Sequence, residues 1–179
     1  IDGKYPTVLK FDGLAAGKGV AVCPDEKSAL GFLDEVFTQN RFGPGRLLVE
    51  ECLTGPEVSI FAAIVDDEYM ILTPARDYKR LKEDDLGPNT GGMGAVASRQ
   101  LIPAEMLSLI DEAIVAPTVA ALVSEKLPYR GFLYFGLMLT PDGPKIIEYN
   151  CRFGDPECQA VMPLLNGDLA AFCMEGAKG

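Results

Sequence analysis

The segment YRGFLYFGLMLTPDGPKIIEYN, residues 129–150, decides the fold class. An apolar run of strand length leads into the turn sequence PDGP, and KIIEYN follows as a second strand. We therefore predict an antiparallel hairpin. Because a hairpin needs no helical crossover between its strands, an α+β fold is favoured over a parallel doubly wound sheet.

Other segments repeat the hairpin pattern. EVSIFAAIVDDEYMILT, residues 57–73, predicts two strands that turn at Asp66 and Asp67. Three shorter strands are expected earlier in the chain, at TVLKF (7–11), VAVC (20–23) and RLLVEE (46–51). The first two of these enclose a glycine-rich loop.

Two segments have apolar residues at helical spacing. The first, residues 24–37, has Asp25 as its expected N-cap. The second, residues 103–126, contains Pro117, which predicts a kink or two consecutive helices. A last helical stretch is expected near the end of the chain.

Periodicity disappears between residues 74 and 98, which predicts a long loop. We expect the boundary between two lobes here, with a first lobe at about 1–73 and a second at about 74–179. The chain opens without Met and without a targeting pattern, so we expect a piece of a longer protein.

The composition limits the possible chemistry. The 179 residues carry a net charge of −10, which works against nucleic-acid binding, and no apolar run has the roughly 18 residues of a membrane helix. Histidine is absent, which excludes His-dependent triads and His metal sites. The five cysteines lack zinc-type spacing and fit a reducing, cytoplasmic setting.

The segment KFDGLAAGKGV, residues 10–20, is a candidate phosphate-binding flap. It is not a Walker A motif, because a strand follows it where a P-loop opens a helix. Glycines still allow backbone N–H groups to approach a phosphate, and Lys10 and Lys18 could contact different phosphates. A solvated glycine hairpin with two surface lysines explains the same residues.

The strand end at Glu50 and Glu51 could present its backbone to an adenine edge, with Glu57 near the ribose hydroxyls. A charged strand end on an acidic protein is the alternative. Further along, Arg80, Asn89 and the glycines of GPNTGGMG could together bind a terminal phosphate, since several converging donors stabilise a transferring phosphoryl group.

Glu148 and Asn150 lie two residues apart on a predicted strand and therefore on one face. Two hard oxygen donors of this kind suit Mg²⁺, which also keeps waters and phosphate oxygens. Arg152 follows, and its guanidinium could hold a phosphoryl or carboxylate oxygen. A strand end exposed to solvent is the alternative.

In this order, these pieces resemble the ATP-grasp domain of the phosphoribosylamine–glycine ligase family, over nearly the whole chain. The matching strings are LKFDGLAAGKGV, VEECLTGPEVS, RDYKR, GPNTGGMGA, YRGFLYFGLM and IIEYNCRFGDPE. The resemblance implies an ATP-grasp fold with the nucleotide site between two α+β lobes. It also implies N- and C-terminal domains that this chain lacks, so the chain alone is expected to be inactive.

The activity that the resemblance implies is the ATP-dependent joining of glycine to 5-phosphoribosylamine through a glycyl phosphate. The products are glycinamide ribonucleotide, ADP and phosphate, in purine biosynthesis, with fusion to other purine-pathway domains possible. Another ATP-grasp carboxylate–amine ligase and a non-catalytic ATP-binding module are the alternatives.

The resemblance also assigns site residues. ATP is expected at Lys10, Lys18, Glu50, Glu51, Cys52, Leu53, Glu57, Arg80 and Asn89; Mg²⁺ or Mn²⁺ at Glu148 and Asn150; and the acyl phosphate at Arg152 and Asp155. Some positions depart from the family pattern: Phe11 replaces Ala, Tyr78 replaces His and Pro56 replaces an acid.

Overall fold

The computed structural model describes residues 3–15, 18–83, 86–90 and 92–179, without the side chains of Leu86, Pro88 and Asn89. The chain forms two compact units, Ile1–Leu53 and Thr54–Gly179. Each is described by itself.

The first unit is a three-stranded antiparallel sheet with a helix on one face. Strands β1 (Thr7–Asp12), β2 (Val20–Cys23) and β3 (Arg46–Glu51) lie in the order β2-β1-β3. Helix α1 (Glu26–Leu33) continues as a π-helical turn, Asp34–Thr38. All three predicted strands are confirmed.

The predicted N-cap of α1 is also confirmed. Asp25 Oδ1 accepts hydrogen bonds from the Ser28 backbone N at 2.8 Å and from Ser28 Oγ at 2.7 Å. Alternate residues of β1 point inward, so that Leu9 and Phe11 pack with Phe32 of α1 in the core of this unit.

The second unit is built on a six-stranded sheet with the order β11-β10-β4-β6-β9, in which β5 also pairs with β4. Its two predicted hairpins are confirmed, and all pairings are antiparallel. The long strands are β4 (Glu57–Val65), β5 (Glu68–Ile71), β10 (Arg130–Thr140) and β11 (Gly143–Asn150). The α+β fold class is therefore confirmed.

The expected long loop at 74–98 is wrong. Four short strands occupy it: β6 (Ala75–Asp77), β7 (Arg80–Lys82), β8 (Leu86–Asn89) and β9 (Ala95–Ala97). Strands of three or four residues are too short to show an alternating pattern, and β8 contains glycine and proline. Backbone pairing forms them instead: β6 with β9, and β7 with β8 in a separate two-stranded sheet.

The unit boundary also falls elsewhere than near residue 73. Strand β4 pairs with β10 from Glu57 to Val65, so the β4–β5 hairpin belongs to the second unit. The sequence does not reveal this pairing, because β4 and β10 are far apart in the chain.

The helical segment before β10 consists of α2 (Ala104–Ile110), a π-helical turn (Asp111–Val115) and α3 (Ala116–Ser124). The interruption expected from Pro117 takes the form of this π turn, with the proline in the first turn of α3, where a missing N–H is tolerated. The segment Ala104–Ser124 is long and apolar enough to cross a membrane, with a mean hydropathy of 1.8. A core helix passes the same test, and Ile110 and Val115 are buried here.

The sheet of the second unit is covered on both faces. On one face, Ile60 of β4 and Phe135 of β10 pack with Ile110, in the core formed with the α2–α3 segment. On the other face, Phe61 and Tyr134 pack with Val161 of helix α4 (Glu157–Val161). A 3₁₀ turn (Met162–Leu164) and helix α5 (Leu169–Lys178) complete the chain.

Replacing Tyr69 with Phe should lower the free energy of unfolding by about 1–3 kcal/mol. The Tyr69 hydroxyl donates to Asp111 Oδ1 at 2.6 Å and so ties β5 to the π turn. Without it, a half-buried carboxylate loses its donor. Urea denaturation followed by circular dichroism measures the change.

The matched control is Asp111→Asn, which keeps an acceptor oxygen for Tyr69 and should lose less stability. A Tyr69→Phe chain as stable as the parent would show that this hydrogen bond contributes nothing.

Candidate functional site

The exposed face of the first unit carries an apolar patch with an ion pair inside it. Strand register places Lys10 opposite Val20 and Leu48, which are 55% and 49% exposed. Lys10 Nζ lies 2.6 Å from Glu50 Oε2. Apolar side chains this exposed are suited to packing against a flat ring, and Lys10 adds a cation beside them.

The remaining predicted residues of the first unit lie near this face or in the flap. Glu51 is exposed, and Cys52 and Leu53 are half-buried after the end of β3. Lys18 is exposed, and its backbone N donates to the Ala15 carbonyl at 2.9 Å. The structure thus brings Lys10 and Glu50 into contact.

Phe11, which departs from the expected family residue, is a core residue. It is 8% exposed, and its ring lies 5.3 Å from the ring of Phe42. A Cβ at Gly13 would approach the Phe11 ring at 2.6 Å, and one at Gly45 would be closer still. The two glycines therefore leave room for this larger side chain.

The second unit has a small charged cleft lined by the start of β4, the end of β6, the middle of β10 and part of β11. Its polar lining residues are Glu57, Ser59, Asp77, Lys79, Tyr134 and Glu148. The cleft has room for about one water molecule. Two predicted site residues, Glu57 and Glu148, are among the six.

Among the residues that line the cleft, Lys79 carries the positive charge. Its Nζ lies 3.5 Å from Glu57 Oε2. Burial lowers the pKa of Lys79, but the negative groups around it, Glu57 foremost, outweigh burial and leave the pKa raised. Lys79 is therefore a stable ammonium at neutral pH and is suited to neutralising an anion.

Tyr134 and Ser59 form the floor of the cleft. The two hydroxyl oxygens lie 3.3 Å apart, and Ser59 Oγ donates to Glu157 Oε1 at 2.8 Å. Burial raises the pKa of Tyr134 to about 12, so its hydroxyl stays protonated over the physiological range.

Asp77 has a buried oxygen without a partner. Within the described part of the chain, Oδ1 is the buried side-chain oxygen that lacks any hydrogen bond. Burial is the main cause that raises the pKa of Asp77, and the charge of Glu157 adds to it. An ionised Asp77 therefore costs folding free energy in this place.

Glu148 and Asn150 share one face of β11, as predicted. A register shift beside Leu137 places Glu148 opposite Gly136 and Asn150 opposite Tyr134. A Cβ at Gly136 would lie 3.0 Å from Glu148 Cγ, so the glycine leaves space for this side chain over β10.

The donor set fits a hard divalent cation that keeps other ligands. No group of three or more His, Cys, Asp or Glu side chains suited to a metal occurs among the residues the structure describes. One carboxylate and one amide oxygen suit Mg²⁺, which retains waters and phosphate oxygens.

Other predicted residues have local partners. Arg152 and Asp155 are exposed: Arg152 Nη1 donates to the Phe153 carbonyl at 2.8 Å, and Asp155 Oδ1 accepts from Gln159 Nε2 at 2.9 Å. Arg80 Nη1 donates to the Gly87 carbonyl at 2.8 Å. Asn89 pairs with Arg80 in the β7–β8 ladder, and its side chain lies outside the described part.

The described residues of the GPNTGGMG segment, 87–90 and 92–94, pair with residues 78–82 as one arm of the hairpin that contains β7 and β8, and are not an open loop. Backbone bonds join Met93 N to the Tyr78 carbonyl at 2.7 Å and Thr90 N to the Lys79 carbonyl at 2.6 Å. At Gly92, φ is +124°, and a Cβ would meet Pro156 Cδ at 2.8 Å. This glycine therefore lets the hairpin pack onto the loop that carries Asp155.

Sequence reasoning missed Ser59, Tyr134 and Glu157 as members of the site, and quoted Asp77 and Lys79 without a role. Ser59 could have been found from the sequence, because it is a polar residue at an inward position of the otherwise apolar strand EVSIFAAIV. The partner of Ser59 is 98 residues away, so the strand pattern could not indicate it.

Residues 2–158 match the family described as Phosphoribosylglycinamide synthetase, ATP-grasp (A) domain. The chain belongs to this family. Membership of an ATP-grasp family implies the use of ATP and a divalent cation. The predicted resemblance and fold class are thereby confirmed.

Curated relatives agree with the phosphoribosylglycinamide synthetase family. The phosphoribosylamine–glycine ligase of Caldanaerobacter subterraneus is 48% identical over 92% of this chain and 40% of its own length. The ligase of Rhodopirellula baltica is 46% identical over 90% of this chain and 38% of its own length. The chain thus spans about two fifths of these relatives.

Solved structures give the same fold. The crystal structure of phosphoribosylamine–glycine ligase from Thermotoga maritima superposes with a TM-score of 0.87 at 37% identity, covering 99% of this chain and 46% of that one. A D-alanine–D-alanine ligase from Bacillus anthracis reaches 0.63 at 16% identity over 97% of this chain and 55% of its own, which shows the fold alone.

Asp77→Asn should stabilise the chain at pH 7, with a gain that shrinks as the pH falls towards 4. Because the pKa of Asp77 is raised in the folded state, Asp77 adds to the stability of the chain only while it is protonated. That stabilisation is complete below the unfolded pKa, about 4, and is lost as the pH rises through the folded pKa. Urea unfolding at several pH values measures this. Asp142→Asn, on an exposed turn, is the control, and a gain independent of pH would contradict the account.

Gly92→Ala should destabilise the second unit by at least about 1 kcal/mol more than Gly94→Ala. Both glycines have positive φ, but a Cβ at Gly94 meets nothing within 4 Å, whereas one at Gly92 meets Pro156. The difference isolates the steric term, and thermal unfolding measures it. Equal losses would show that the hairpin does not pack on Pro156.

Proposed function

We propose that the chain is the ATP-grasp part of a ligase that joins glycine to 5-phosphoribosylamine. The products are glycinamide ribonucleotide, ADP and phosphate, in purine biosynthesis. The observation that carries the proposal is the family match over residues 2–158, together with 46–48% identity to relatives named phosphoribosylamine–glycine ligase.

The reaction has two steps. A carboxylate oxygen of glycine attacks the γ-phosphorus of ATP, the bond to the β–γ bridging oxygen breaks, and glycyl phosphate and ADP form. The ribosylamine nitrogen then attacks the acyl carbon, phosphate leaves and the nitrogen loses a proton. Because a carboxylate is already ionised at neutral pH, the protein's contribution is positioning and charge stabilisation, which suits a chain without histidine.

In the first unit we assign the nucleotide to the exposed sheet face and the flap. Val20 and Leu48 offer apolar surface for the base, next to the backbone from Glu50 to Leu53. Lys10 and Lys18 are assigned to phosphate oxygens. Support comes from the exposure of this face, from the cation inside it and from the family resemblance.

In the second unit we assign Glu57 to the ribose, and Arg80 and Asn89 to phosphate. Glu148 and Asn150 would hold Mg²⁺ or Mn²⁺, which when bound neutralises phosphate charge. Arg152 and Asp155 are assigned to the place where the acyl phosphate forms. The charged Lys79 beside Glu57 adds a further cation to this region.

The parent protein is proposed to be cytoplasmic, because all five thiols are free and the purine pathway supplies its substrates. One relative supports fusion to other purine-pathway domains. The chain is 47% identical to the trifunctional purine biosynthetic protein adenosine-3 of Drosophila melanogaster and covers 12% of that protein.

Lys10→Met should weaken binding of a non-hydrolysable ATP analogue to this chain by roughly 10- to 100-fold, because one charge-assisted hydrogen bond is lost while packing is kept. Isothermal calorimetry with Mg²⁺ measures this. Lys27→Met, on the exposed side of α1, is the control and should bind normally.

Glu148→Gln should reduce the effect of Mg²⁺ on binding and leave binding without metal unchanged.

No nucleotide binding with or without Mg²⁺ would contradict the proposal. The complete protein separates the alternatives: ATP binding without glycine-dependent ADP release favours a non-catalytic module, and release that depends on another carboxylate favours a different ligase.

A further inference from the structure

Ser59 and Glu157 are buried polar residues that bond to each other. They are 4% and 3% exposed, and the buried Tyr134 hydroxyl lies beside Ser59. Ser59 Oγ donates to Glu157 Oε1 at 2.8 Å across 98 residues of sequence. One belongs to the central strand β4 and the other to the first turn of α4.

Stability alone does not account for a glutamate in this place. Removing a carboxylate from water is costly, and well-packed apolar residues at buried charged positions are often neutral or stabilising. The negative charge of Glu157 also raises the pKa of Asp77, which means that the two carboxylates repel each other. A glutamate at this position is therefore better explained by a specific role than by packing.

The carboxylate of Glu157 occupies the space that a side chain at residue 154 would need. A Cβ at Gly154 would lie 2.6 Å from Glu157 Cδ and closer still to Oε2. The Gly154 carbonyl also accepts from Cys158 N at 3.0 Å, which closes the turn into α4. The backbone of the loop 151–156 thus rests directly on this carboxylate.

This loop carries the residues assigned to the acyl phosphate, Arg152 and Asp155, on the two sides of Gly154. Through Ser59, the Glu157 carboxylate is bonded to the floor of the cleft, since Ser59 Oγ also lies 3.3 Å from the Tyr134 hydroxyl. Pro156 of the same loop lies under Gly92 of the hairpin. One buried group therefore connects the loop, the cleft floor and the packing site of the hairpin.

We propose that Glu157 is a positioning residue, which fixes the loop 151–156 against β4 through Ser59 and so sets the places of Arg152 and Asp155. The inference rests on the proposed function for the roles of those two residues. Glu157 itself is buried and acts through the loop.

The test uses three variants of the complete protein. Glu157→Leu keeps most of the packing and removes the acceptor, and Glu157→Gln keeps an acceptor oxygen for Ser59 without the charge. Val161→Ala, at a 1% exposed position of the same helix, is the control for a loss of stability alone. Thermal unfolding confirms that each variant is folded under the assay conditions.

Glu157→Leu should lower kcat by roughly 10- to 100-fold with little change in the KM for ATP, since small misplacements of reacting groups have effects of this size. Glu157→Gln should restore most of kcat. Val161→Ala should lower the unfolding temperature and keep kcat. Wild-type kcat in a folded Glu157→Leu protein, or an equal loss of kcat in Val161→Ala, would overturn the inference.

Hydrogen–deuterium exchange separates this inference from the proposed function. Amides of the loop 151–156 should exchange faster in Glu157→Leu and near the parental rate in Glu157→Gln, whatever reaction the protein catalyses. Unchanged exchange in Glu157→Leu would refute the positioning role. An inactive parent protein, in contrast, would refute the proposed function alone.

Discussion

The antiparallel pairing of β4 with β10 is the interaction on which the second unit depends. It runs from Glu57 to Val65 on one strand and from Arg130 to Met138 on the other, in the middle of the six-stranded sheet. Because side chains alternate along a strand, the same ladder supplies two faces. Val58, Ile60 and Phe135 go to the core with the long helical segment, and Ser59 and Tyr134 go to the opposite face.

That division explains where the candidate chemistry lies. The core on the face toward the α2–α3 segment is apolar apart from tyrosine hydroxyls such as that of Tyr69, which bonds to Asp111, and the charged groups of the cleft gather on the other face. There Glu148 lies over Gly136. Asp77 lies at the end of β6 and Lys79 just after it, and both line the same cleft. The arrangement costs stability, since Asp77 has an unsatisfied oxygen and Glu157 is a buried carboxylate. Such local costs are expected where groups are arranged for binding or catalysis rather than for folding.

The sequence predicted the parts of this fold that have local causes. Alternation and turn residues located both long hairpins, and the Asp25 cap located the start of α1. The same face for Glu148 and Asn150 followed from strand geometry, and the bulge beside them did not alter it. The strands β6 to β9 were not predicted, because backbone pairing rather than side-chain pattern forms them. The unit boundary and the Ser59–Glu157 bond depend on contacts between distant segments, which no local pattern contains.

The proposed function requires that the complete protein activates glycine as glycyl phosphate. Glycine labelled with ¹⁸O in its carboxylate tests it most directly, with the complete protein, ATP, Mg²⁺ and 5-phosphoribosylamine. One labelled oxygen per turnover should appear in the released phosphate, because the carboxylate oxygen that attacks the γ-phosphorus leaves with it. Glycinamide ribonucleotide formed with no label in the phosphate would exclude a glycyl phosphate intermediate.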